Sequence, residues 1–261
     1  MMVQPDPAHE KSESSDGLPQ GHAALPGRGM SFREKVGQTL RNSKASIFIA
    51  ILVVILLGRT RLISPDLTPL GIPLALLAIW IISWFKKVGW SDLGIYQPKS
   101  WIRIILIGIG TAILFQVLAL IQIKLGGPTP DLSSFEQVKN NPWILLMFLV
   151  ISWTTAGFGE EVIWRGFIMK QLARIFGEQR TGWALGLIFS AAIFGLIHYY
   201  QGITGILMTA LTGVIYGLIF MSSGKNLWAS IFAHAFTDTT SFLLLFYWDK
   251  ISFLYKVWDF L

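Results

Sequence analysis

The chain has 261 residues, 53% of them hydrophobic and only 14% charged, with a formal net charge of +6 and no cysteine. A soluble domain is nearer a quarter charged, so a soluble globular fold is excluded. The missing thiols exclude a disulfide framework, thiolate zinc sites and a cysteine nucleophile. The surplus Lys and Arg lie mostly between apolar blocks rather than in a basic stripe with exposed aromatics, so nucleic acid is not an expected partner.

Residues 1–44 are polar and rich in Pro, Gly and Ser, and are expected to form a disordered cytoplasmic tail. Asp6, Glu10, Glu13 and Asp16 disfavour a transit peptide, and the first apolar block begins too late for a secretory signal. Within the tail, Ser31–Lys44 is either a short amphipathic helix on the membrane surface or an unstructured basic flank. Residues 45–261 then divide into apolar blocks, several approaching the roughly 20 residues that cross a bilayer. Spans are expected at Ala45–Leu57, Pro69–Phe85 and Trp101–Ile123. A turn at Gly126–Asp131 follows. The fourth span opens at Pro142, a favourable first-turn proline, and runs to Gly159, with a more polar helical pattern continuing to Phe176. Three more are expected at Trp183–Tyr200, Gly202–Met221 and Leu227–Trp248.

The fold expected is therefore an all-α, polytopic transmembrane bundle of about seven spans, or eight, around a polar cavity. Trp90, Trp101, Trp143, Trp183 and Trp228 fall near block ends, as in an interfacial belt. Gly182/Gly186 and Gly213/Gly217 are small residues four apart that permit close helix contact. Basic residues are denser in alternate loops: the tail, then Lys86, Lys87 and Lys99, then Lys170, Arg174 and Arg180. The positive-inside rule then puts the N terminus in the cytoplasm, most simply across a cell inner membrane.

Ionisable groups in a bilayer cost on the order of 2.5–3.5 kcal/mol each, so a chain that keeps them must pair or use them. Three places stand out. Glu161 and Arg165 are four apart on one helix face and can pair, while Glu160 points about 100° away without a local cation. Phe194–His198 carries one of only two histidines outside the tail. His234 and Asp238, again four apart, form the third, where the acid can take a ring N–H or share a metal or water.

The runs EEVIWR (Glu160–Arg165), FGLIH (Phe194–His198) and SSGKNLWASIFAHAFTD (Ser222–Asp238) resemble the intramembrane proteases related to CAAX prenyl endopeptidases and bacteriocin-processing proteins. The family pattern is Glu-Glu-x-x-x-Arg, Phe-x-x-x-His and His-x-x-x-Asn/Asp, and all three elements occur in order. The resemblance covers roughly Pro142–Phe246, and more weakly the WSDLGI stretch at Trp90–Ile95. It implies hydrolysis of a peptide bond in a membrane-associated peptide or protein. Glu160 would be the base that activates water, and His198 would hold that water directly or through a metal. Glu161 would pair with Arg165. His234 and Asp238 would stabilise the oxyanion.

Amide hydrolysis needs a base, a positioned water and a donor for the oxyanion, and these residue types supply all three. Zinc held by Glu160, His198 and His234 is one possibility, since two His and a Glu can form an open catalytic site. A metal-free Glu/His mechanism is the other. Asp238 stands where some family members carry Asn. Two rivals remain: a catalytically silent member acting as a membrane immunity factor or scaffold, and a proton- or ion-coupled transporter. The absence of an internal repeat disfavours the latter.

One geometric objection accompanies this scheme. In simple up-and-down spans, Glu160 sits at the inner end of the fourth span and His198 near the far end of the fifth. A single site therefore requires tilted or unequal helices, or a segment after Glu161 that folds back.

Overall fold

A computed structural model describes residues 29–60, 63–127 and 131–250. Residues 1–28, most of the expected tail, and 128–130 in the expected turn lie outside the described residues. The described part is helical, with no strand among those residues. The helices are α1 (Phe32–Asn42), α2 (Lys44–Leu57), α3 (Gly71–Lys86), the single turn α4 (Trp90–Leu93) and α5 (Trp101–Lys124). They continue as α6 (Pro142–Ile175), α7 (Arg180–Leu196), α8 (Gly202–Ser222) and α9 (Leu227–Phe246). Every apolar block of the sequence becomes a helix. Among the described residues five helices are long and apolar enough to cross a membrane, or six if the bent pair α1 and α2 is one span, while α7 is shorter.

Local chemistry fixes the helix ends. Asn141 caps α6 by accepting the Ile144 N–H at 3.2 Å, with Pro142 in the first turn as expected. Ser100 and Asn226 cap α5 and α9 in the same way. The amphipathic-helix alternative for Ser31–Lys44 is the one realised: α1 turns 93° away from α2 and lies across the end of α3. Arg33 donates to the Trp84 carbonyl and Arg41 to the Lys86 carbonyl, filling acceptors left open at the C-terminus of α3. Gly37 lies midway between those arginines, and a Cβ there would collide with the Phe85 carbonyl.

The glycine pairs act as the sequence suggests. A Cβ at Gly182 would lie 3.0 Å from the Ala173 carbonyl oxygen, and one at Gly186 2.8 Å from that of Met169. This pair lets α7 lie directly on the last turns of α6. Gly213 in turn brings α8 against Ala191 of α7. The WSDLGI stretch docks on the start of α9: Gly94, at φ +105°, presents its carbonyl to the Leu227 N–H at 2.8 Å.

The helical pattern expected to continue from Gly159 to Phe176 does so: α6 runs 34 residues to Ile175, roughly 50 Å at α-helical rise, and so is longer than a 30 Å hydrocarbon core. Ser152–Glu160 and Val162–Met169 are wound as π-helix, a rare form that concentrates at functional sites. The hydroxyls of Ser152, Thr154 and Thr155 donate to the carbonyls four residues earlier, satisfying acceptors where the backbone changes register.

Candidate active site

Glu160 and Glu161 are adjacent on α6 but face different surroundings. Glu161 is fully buried. Its Oε1 accepts from Arg165 Nη1 at 2.6 Å and from His234 Nδ1 at 3.0 Å. Arg165, also buried, gives a second N–H to the Gly213 carbonyl at 3.0 Å and lies over the rings of Phe194 and Tyr216. One carboxylate oxygen thus ties α6 to α9, and its partner Arg165 reaches α8. Glu161 Oε2 is buried with no hydrogen-bond partner.

Glu160 is half-buried and makes no hydrogen bond or ion pair among the described residues. It lines a cavity of 520 Å³ together with His198, His234, Asp238 and Tyr216. Glu160 and His198 also line a second cavity of 190 Å³, on whose wall Arg59 lies. The pair therefore stands where two cavities meet.

His198 ends the α7 segment just beyond its last helical residue, and its Nδ1 is 2.7 Å from the Phe194 carbonyl oxygen. A carbonyl only accepts, so Nδ1 carries a proton, and in the neutral ring Nε2 then keeps its lone pair. The Arg59 guanidinium donates to the Ile197 carbonyl, the residue before His198. His234, buried on α9, lies 4.9 Å from the Tyr216 ring, centroid to centroid. With its Nδ1 given to Glu161, its Nε2 faces Asp238 Oδ2 at 3.7 Å, beyond hydrogen-bond distance.

All six residues singled out by the sequence are thus gathered in one region, and four of them line one cavity. The depth objection dissolves because the helices are unequal. Glu160 lies fifteen residues before the end of α6, and His198 eighteen residues after the start of α7, so the antiparallel pair brings them level. Sequence reasoning missed Arg59 and Tyr216. Arg59 lies between two apolar blocks, where nothing local marks it. Tyr216 was an available signal, a hydroxyl inside an apolar span.

His234 gives Nδ1 to Glu161 and faces Asp238 with Nε2. Among the described residues no three His, Asp or Glu side chains converge as a metal-holding group.

Neither a curated protein nor a solved structure matches the chain. The family model described as type II CAAX prenyl endopeptidase Rce1-like matches residues 141–240, the stretch that holds all three motifs. Over that stretch the chain is similar to that family, and the order and spacing of the three motifs agree with the match.

Proposed function

We propose that the protein is an intramembrane endopeptidase in which Glu160 activates water against a peptide bond held in the 520 Å³ cavity. The supporting observation is the division of labour between adjacent acids. Glu161 is consumed by Arg165 and His234, whereas Glu160 is unpaired and lines the cavity with His198. His198 Nε2, an acceptor by its tautomer, orients the water. Glu160 takes a proton from that water as its oxygen adds to the scissile carbonyl carbon. His234, presenting a protonated Nε2 beside Asp238, stabilises the oxyanion. Collapse breaks the C–N bond, and Glu160 returns its proton to the departing amine. In this reading Asp238 orients His234 rather than donating to the oxyanion. No step is routed through a metal.

The matched family concerns peptidases, so membrane-associated peptides with lipid-modified C-terminal ends are the first substrates to assay. The bundle would sit in a cell inner membrane with Lys86, Lys87, Lys99, Arg174 and Lys225 toward the cytoplasm. In purified protein, His198→Ala should abolish cleavage of a fluorogenic peptide series that the wild type processes. Undiminished cleavage by that variant would overturn the assignment.

A further inference from the structure

A third cavity, of 440 Å³, lies away from the candidate active site, between the start of α5 and the α8–α9 turn. Lys99 and Arg103 line it, with the hydroxyls of Ser100 and Ser223, and no acid does. Both cationic side chains are exposed and make no hydrogen bond or ion pair among the described residues. Concentrated, uncompensated positive charge of this kind calls for an anion.

The surroundings identify which anion. The cavity floor is Ile104 and Ile107 of α5. On the same helix Ile102 is 71% exposed and Leu106 63%, so an apolar track runs down the bundle from the cationic end. Trp101 and Trp228, 5.5 Å apart, stand at the head of that track, where amphipathic rings mark a membrane–water boundary. A soluble phosphate would use the cations and leave the track unused. A phospholipid would use both.

We propose that this cavity binds the headgroup of an anionic phospholipid, with the phosphate at Lys99 and Arg103 and an acyl chain along Ile102 and Leu106. The site lies at the root of α9. Tyr96 gives its hydroxyl to the Gly224 carbonyl, and Asn226 donates to the Tyr96 carbonyl, fastening the cavity wall to the helix that carries His234. The inference does not depend on the hydrolytic reading.

The test uses the full chain reconstituted into phosphatidylcholine vesicles carrying a trace of spin-labelled phosphatidylglycerol or spin-labelled phosphatidylcholine. Electron spin resonance measures the relative association of each lipid. The wild type should prefer phosphatidylglycerol. Each juxtamembrane cation contributes about fivefold, so Lys99→Gln with Arg103→Gln should weaken the preference on the order of 25-fold. Lys124→Gln with Lys139→Gln, at other loops, should leave it intact. A preference that survives the first double variant, or is absent from the wild type, overturns the proposal. Displacement of the labelled lipid by inorganic phosphate alone would assign the cavity to a soluble anion and overturn it equally.

Discussion

Two adjacent glutamates give the sharpest test of the site, because the same conservative change should do opposite things at each. Glu161→Gln removes the charge shared by Arg165 and His234, leaving a guanidinium that is 3% exposed with only the Gly213 carbonyl and two aromatic faces. Breaking a buried ion pair in this way costs about 3–5 kcal/mol. That is a large share of the 5–15 kcal/mol by which a typical protein is stable. Glu160→Gln removes no ion pair and keeps the side-chain shape, so stability should change by less than about 1 kcal/mol. Activity should divide the other way: Glu160→Gln should lose the general base and fall about 100- to 10,000-fold while remaining folded. Denaturant unfolding in detergent micelles, followed by helical circular dichroism, reads the first quantity, and peptide cleavage by the folded fraction reads the second. Equal destabilisation by the two variants, or full activity in Glu160→Gln, would refute the division between a pairing acid and a working acid.

Gly186→Ala would place a Cβ 2.8 Å from the Met169 carbonyl and 3.0 Å from the Ala173 nitrogen, both backbone atoms that cannot swing aside. It should cost about 1–3 kcal/mol in the same unfolding assay and, by shifting α7, reduce cleavage through His198. Cleavage should survive dialysis against a chelator, because no metal-holding group converges among the described residues. Loss on chelation with recovery on zinc alone would return Glu160, His198 and His234 to the role of ligands.

Much of this was legible in sequence because it is local. Apolar blocks, the first-turn Pro142 and the i, i+4 pairs Glu161–Arg165 and His234–Asp238 depend only on spacing within one helix. The small-residue pairs were legible as close contacts, though not which helices they join. What was not legible is where the membrane boundary falls along a helix. Rising polarity after Gly159 looks like the end of a span. In the structure that polarity is spent inward, as Arg165 turns its charge to Glu161 and Gly213 while α6 continues to Ile175. The π winding around both glutamates has no simple residue signature either. The link between His234 and Glu161 joins positions 73 apart, which no periodicity reports.

The placement of the charges also bears on how the chain is built. α6 and α9 carry the costly groups, and each brings its own counter-group one turn away: Arg165 for Glu161, and Asp238 for His234. A helix emerging from the insertion machinery meets lipid before its later neighbours have been synthesised. α6 therefore enters with its buried acid already neutralised, some seventy residues before His234 arrives to share the same oxygen. The cross-link between helices is a late addition to a pair that can cross the bilayer alone. Glu160 enters without such a companion, which makes it the residue most dependent on the finished assembly for its surroundings.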